Sequence, residues 1–172
     1  MHIRLATQAD LPAIMALVRA VVPLMQASGN HQWATDYPNE AVFERDMQLS
    51  RLWIAQQDID PLHRIAGIAA ITAEPEPEYA QAGLDIDEPA LVIHRLAVNP
   101  ELHRAGVARA LLAHAEQLAR DQKITALRVD TNIQNEATQR LFPSLGYRLA
   151  GEITLAVRPG LRFLCYEKRL ST

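Results

Sequence analysis

The segment 91–120, LVIHRLAVNPELHRAGVARALLAHAEQLAR, constrains the fold more than any other stretch of the chain, because its hydrophobic period changes within a few residues. Residues 91–98 are apolar and rich in β-branched side chains apart from His94 and Arg95, the composition of a buried strand. Asn99-Pro100 is a turn signal, since proline disfavours helical backbone at the residue before it. From about Arg104 the period becomes helical: Val107, Leu111, Ala115 and Leu118 share one face, and Arg109, Glu116 and Arg120 the other. Strand, tight loop and helix follow one another, with Gly106 where the helix begins.

A helix start leaves backbone N–H groups unpaired and carries the positive end of the helix dipole. Gly106, with the small Ala105 and Ala108 beside it, lets an anion approach that backbone, and Arg104 and Arg109 add positive charge. A pyrophosphate is the anion that suits such a loop. The same glycine equally permits close packing at a helix start, and the loop alone leaves both readings open. It is neither a Walker loop, which ends in Gly-Lys-Ser/Thr, nor the three-glycine dinucleotide fingerprint, so a dinucleotide-binding oxidoreductase is a distant reading.

Along the rest of the chain the periods alternate. Residues 2–5 read as a strand, Thr7 and Asp10 as a capping-box-like start, and Leu11, Ile14, Leu17, Val18 and Val21 as one face of a helix. Residues 27–38 form a turn-rich loop that nevertheless carries His31, Trp33 and Tyr37. Aromatic side chains there point to a pocket wall, with Trp33 and Tyr37 as candidate substrate-binding residues, or to packing on the core. Asn39 caps a second short helix through about Gln48. Residues 52–56 and 64–71 read as strands joined by a turn at 58–61, and Gly67 marks a bulge or a close neighbour. Residues 74–89 are acidic and proline-containing, read as a loop that is either a solvated connection or an acidic flap favouring a cationic amine. After the central helix come a strand at 126–131 and a helix capped by Asn135, which Pro143 should stop near Phe142. Two strands, 147–157 and 162–169, follow around a Pro-Gly turn. The string is β-α-α-β-β-β-α-β-α-β-β. It specifies an α+β chain with one central mixed sheet and helices on both faces, as a single domain over 1–172.

Composition narrows the function by exclusion. A net charge of −3 gives no reason to expect nucleic acid or a membrane surface as partner. There is no apolar run near the ~18 residues of a membrane span and no signal-peptide core. The single cysteine, Cys165, fits a reducing cytoplasm and has no catalytic motif around it. His103 and His114 stand at no spacing that suggests zinc, so no metal is expected.

HRLAVNPELHRAGVARALL resembles the central motif of the GNAT superfamily of acetyl-CoA-dependent N-acetyltransferases, a strand ending in Val, a short loop, and Q/R-x-x-G-x-G/A opening a helix. His103 stands at the Gln/Arg position, a departure, Gly106 at the glycine and Ala108 at the Gly/Ala position. A second block, VDTNIQNEATQRLFPSLGY, is similar to the family's later strand and helix, with Asn135, Ala137, Leu141, Gly146 and Tyr147 in place.

The resemblance implies the GNAT fold and acetyl transfer from acetyl-CoA to a primary amine, on a small molecule or a peptide, by direct attack. It implies that the backbone of Leu96, Ala97 and Val98 meets the pantetheine, that residues His103, Arg104, Ala105, Gly106, Val107, Ala108 and Arg109 meet the pyrophosphate, and that Asn135 touches the cofactor arm. His94, four residues before Val98, matches a position where some members carry a basic histidine, though a lone histidine in an apolar strand is more often structural. Asp130 and Glu152 are weaker candidates for the base. The family's acid toward the leaving thiolate is a tyrosine, and Phe142 occupies its place. That departure keeps a second reading alive, a non-catalytic acyl-CoA-binding sensor or scaffold. Family analogy also suggests a homodimer built on an exposed final strand.

Overall fold

The computed structural model describes residues 1–57, 65–74, 76–102 and 105–171. The turn expected at 58–61 lies outside them, as do His103 and Arg104. The described elements are β1 (His2–Leu5), α1 (Leu11–Ala27), α2 (Glu40–Gln48), β2 (Leu52–Gln56), β3 (Ile65–Thr72), β4 (Ala90–Val98), α3 (Val107–Asp121), β5 (Ala126–Asn132), α4 (Glu136–Ser144), β6 (Arg148–Thr154) and β7 (Arg162–Arg169). This is the order expected from the sequence, with short 3-10 turns at Gln8–Asp10, Pro77–Ala82 and Pro100–Leu102 added.

The seven strands form one sheet in the order β1-β2-β3-β4-β5-β7-β6. Every neighbouring pair is antiparallel except β4 and β5, which are joined by the α3 crossover and run parallel. Alternation along the strands feeds two apolar layers. Ala69, Ile71, Leu91 and Ile93 pack under α3 and α4, with Val107, Leu111, Ala115 and Phe142. Ile54, Ile68 and Ala70 pack under α1 and α2, with Ile14, Val18, Trp33 and Phe43. Gly67 is the close neighbour its sequence position suggested. A Cβ there would stand 2.7 Å from Val107 Cγ1 and 2.8 Å from the Ala97 carbonyl oxygen, so the glycine lets the start of α3 lie against β3.

Several expectations need correction. Residues 74–89 are not a plain loop: the 3-10 turn Pro77–Ala82 plants Tyr79, 1% exposed, on Val92, Ile153, Phe163 and Cys165. Gln81 ties the turn to Thr154, whose N–H donates to Gln81 Oε1 at 3.0 Å. α4 continues through Pro143 to Ser144: the proline removes one N–H from the last turn, and the helix ends one residue later. β6 stops at Thr154, short of the expected Val157, which is 73% exposed. The final strand β7 is not an edge. It lies between β5 and β6, so the edge strands are β1 and β6 and the expected dimer contact through the final strand has no free edge. One stretch, Gln8–Ala27, is long and apolar enough by length and composition to cross a membrane, contrary to the sequence reading. Its apolar face, Leu11, Ile14, Leu17, Val18 and Val22, is buried in the core.

Candidate active site

The parallel pair β4 and β5 is paired only from Ala90↔Ala126 to Ile93↔Val129. Beyond that point the strands part, and β4 runs on to Val98 with no partner on its β5 side among the described residues. A cavity of about 1080 Å³ opens between them, at the C-terminal ends of parallel strands, where open α/β sheets bind ligands.

The parting starts at a bulge. Ile68 pairs with Ala97 but Ala70 with His94, so one residue of β3 faces two of β4, and Arg95 has a left-handed φ of 51°. Strict alternation would send Arg95 to the apolar layer under α3. The bulge lets it reach the other side, as His94 does. Its guanidinium clasps the buried Asp46 of α2 with two hydrogen bonds, Nε–Oδ2 at 2.7 Å and Nη2–Oδ1 at 2.9 Å. Arg51 Nε donates to the same carboxylate at 2.8 Å and its Nη1 to Glu74 at 2.7 Å.

His94 Nε2 lies 3.2 Å from Glu76 Oε1. Asp130, on the facing strand, accepts a 2.7 Å hydrogen bond from the Tyr79 hydroxyl. Burial pushes the Asp130 carboxyl up from its ordinary value, against the opposing pull of His94 and Tyr79. Burial, and then the Asp130 charge, push the Tyr79 hydroxyl far up, so it stays protonated as a donor. Sequence reasoning missed Glu76 and Tyr79 as site residues, since their 3-10 turn has no periodic pattern to expose it.

At the opposite end of the cavity stands the first turn of α3. Gly106 is its N-cap at φ 77°, a left-handed conformation that favours glycine, and no described residue lies within 4 Å of where a Cβ would stand. The N–H groups of the first turn have no intrahelical partner. Gly106, Val107, Ala108 and Arg109 line the cavity and Ala105 does not. Across from them, Asn135 caps α4 by accepting from Thr138 N at 3.4 Å, and its amide nitrogen has no partner among the described residues. The donor set suits a pyrophosphate and a pantetheine arm: open helix N–H groups, an unpaired strand edge at Leu96, Ala97 and Val98, and one free amide.

Trp33 and Tyr37 line the cavity, and Trp33, 3% exposed, is at the same time a core residue. His31 is exposed. Gln32 ties the loop to the end of β5 by accepting from Asn132 N at 3.3 Å. Arg158, in the β6–β7 connection, donates to the Gln32 carbonyl and lies over the Tyr37 ring, 4.6 Å from its centroid. Glu152 is not in the site. It pairs with Arg162 on the outer hairpin. Phe142 lines the cavity and packs edge-on against Tyr166 at 5.4 Å. Among the described residues no group of three His, Cys, Asp or Glu side chains is placed to hold a metal ion. Cys165 is buried in β7, its thiol pushed up to about 12 by burial, which leaves it a packing residue.

Residues 17–147 match the family model of the acetyltransferase (GNAT) family. A GNAT-family acetyltransferase structure from Streptococcus agalactiae 2603 superposes with a TM-score of 0.84 at 26% identity, covering 99% of this chain and 96% of that one. The ribosomal-protein-S18-alanine N-acetyltransferase of Escherichia coli is similar at a TM-score of 0.68 and 20% identity, over 99% and 94%. The ribosomal-protein-alanine N-acetyltransferase of Brucella melitensis is similar at 0.68 and 22%, over 99% and 100%. No curated protein matches the sequence.

Proposed function

The chain belongs to the acetyltransferase (GNAT) family, and from that premise we propose that it transfers an acetyl group from acetyl-CoA to a primary amine by direct attack, with no covalent enzyme intermediate. One observation carries the reading: the unpaired edge of β4 beyond Ile93 opens into the same cavity as the first turn of α3. The strand edge offers hydrogen bonds to an extended amide arm, and the helix start offers N–H groups to a pyrophosphate. Leu96, Ala97, Val98, Asn135 and residues 106–109 are the groups that would hold the cofactor. Acetyl-CoA supplies an acyl thioester, activated toward an amine.

The chain's own part is to position the acceptor and take its proton. An alkyl ammonium is only about one part in a thousand free amine at pH 7, so a base must accept the proton. His94 is that base in this reading. Its imidazole accepts the proton, and the Glu76 carboxylate, 3.2 Å from Nε2, stabilises the imidazolium. Asp130, hydrogen-bonded to Tyr79 and pushed toward its neutral form by burial, lies on the same side. The lone buried Cys165 supports a reducing, cytoplasmic setting.

Phe142 at the position of the usual acid favours a second reading, a non-catalytic acyl-CoA-binding module. Thiol release from acetyl-CoA with a panel of amines separates the two. Amine-dependent release above the buffer rate supports the enzyme. Tight CoA binding with no release from any amine rejects it.

A further inference from the structure

On the acceptor side of the cavity the arginines differ in their partners. Arg51 and Arg95 share the Asp46 carboxylate, and Arg51 also holds Glu74. Arg158 has no carboxylate partner among the described residues. Its Nε donates to the Gln32 carbonyl at 2.7 Å and Nη2 donates to the same oxygen, which leaves the Nη1 edge of the fork without a partner among the described residues. Arg158 is half-buried and lines the cavity, and its guanidinium carbon lies over the Tyr37 ring, 4.6 Å from the centroid. A guanidinium fixed by a backbone carbonyl and a ring, with one edge open to a cavity, is preorganised for a planar anion. On the strand side of the same cavity stands His94 with Glu76, whose carboxylate attracts an ammonium.

We propose that the acceptor is an amino-carboxylate, a small molecule of the amino-acid class, whose carboxylate is bound by Arg158 and whose amine lies toward His94 and Glu76. This rests on the acetyltransferase reading and narrows its acceptor. Tyr37 and Gln32 act as positioning residues, since they hold the guanidinium and do not themselves meet the carboxylate. The arrangement disfavours diamines, which would bring a second cation to Arg158. It also disfavours a peptide N-terminus, whose neighbouring carbonyl is an uncharged amide.

The test measures two things on the full chain with CoA or acetyl-CoA present. The first is kcat/KM for α-, β- and γ-amino acids, their carboxamides, the matching decarboxylated amines and short peptides. The second is calorimetric binding of the same compounds with CoA. The expected result is that at least one amino acid exceeds its carboxamide by about tenfold or more in both, the worth of a charge-assisted pair. In Arg158→Gln that ratio falls toward one, and in Arg158→Glu the preference reverses toward the amine. A native-like melting temperature and retained CoA binding report that each variant folds. A ratio near one in the wild type, a preference for peptides, or an unchanged ratio in folded Arg158→Gln overturns the proposal. Carboxylate-dependent, Arg158-dependent binding without thiol release would instead overturn acyl transfer and leave the amino-carboxylate site standing.

Discussion

Asp46 is the residue whose loss should cost most for the least change in shape. Its side chain is 1% exposed, and both arginines that hold it are 14% exposed. Asp46→Asn keeps the volume but leaves the two guanidinium groups facing each other with no charge between them. Removing one partner of a buried ion pair costs about 3–5 kcal/mol. Arg51 retains Glu74, which is 63% exposed and worth little, so the lower end, about 3 kcal/mol, is the expectation. A second contribution is local. Arg95 holds a φ of 51°, and a non-glycine residue there carries strain of order 1–3 kcal/mol that its clasp on Asp46 offsets. Without the clasp the bulge can relax and β4 can close toward β5. The variant should therefore lose affinity for CoA as well as stability. Urea denaturation reads the first effect: with a slope of about 2 kcal/mol per M, the midpoint falls by about 1.5 M. A double-mutant cycle with Arg95→Met apportions it, with a coupling of about 2 kcal/mol or more expected for contacting residues. A midpoint shift below about 0.3 M with unchanged CoA affinity would refute the reasoning, because the pair would then be neither buried in energetic terms nor needed to hold the bulge.

The remaining predictions touch the other parts of the molecule. Gly106→Glu places a negative charge and a side chain at a left-handed helix start, and calorimetry should show CoA affinity down by more than tenfold, about 1.4 kcal/mol; unchanged affinity in a folded variant rejects the anion site. His94→Gln keeps a polar strand residue but removes the base, so kcat/KM should fall by about 10²-fold with CoA affinity unchanged. A folded variant that keeps wild-type kcat/KM makes His94 structural. Phe142→Tyr should raise turnover by at most about 10²-fold if thiolate protonation limits the rate; no change means another group or water already serves. Asp10, held by Arg4, has its carboxyl lowered to about 2. Its contribution to stability is complete above its ordinary value near 4 and is lost as the pH falls through about 2, so the acid limb of the wild-type stability curve over that window should flatten in Asp10→Asn.

What the sequence made legible was whatever is decided locally. The switch of period between 98 and 107 set β4 and α3, and Gly106 and Asn135 were readable because a helix start needs a particular residue at a particular place. The acceptor side was not readable in this way. Arg95 and Asp46 meet across 49 residues, and Arg158 meets Gln32 across 126. Nothing in the periodicity of either partner announces the other. The acidic segment before β4 misled for a related reason. Its prolines and charges carry the signal of a loop, while its attachment depends on one side chain, Tyr79, whose burial is decided by β5, β6 and β7.

The two ends of the cavity thus differ in what builds them. The phosphate end is made of backbone: N–H groups at the start of α3 and an unpaired strand edge, both fixed by chain geometry and indifferent to most side chains. A departure from the motif such as His103, three positions before Gly106 in the sequence, does not remove backbone donors at 106–109. The acceptor end is made of side chains from four separate segments, Tyr37 from the α1–α2 loop, Glu76 from the segment before β4, His94 from β4 and Arg158 from the β6–β7 turn. Each segment can change without disturbing the sheet, since loops carry variation that strands cannot. Recognition of the cofactor therefore follows from the fold, and recognition of the acceptor follows from the loops. A family match bears on the first and leaves the second to be read from this chain's own charges.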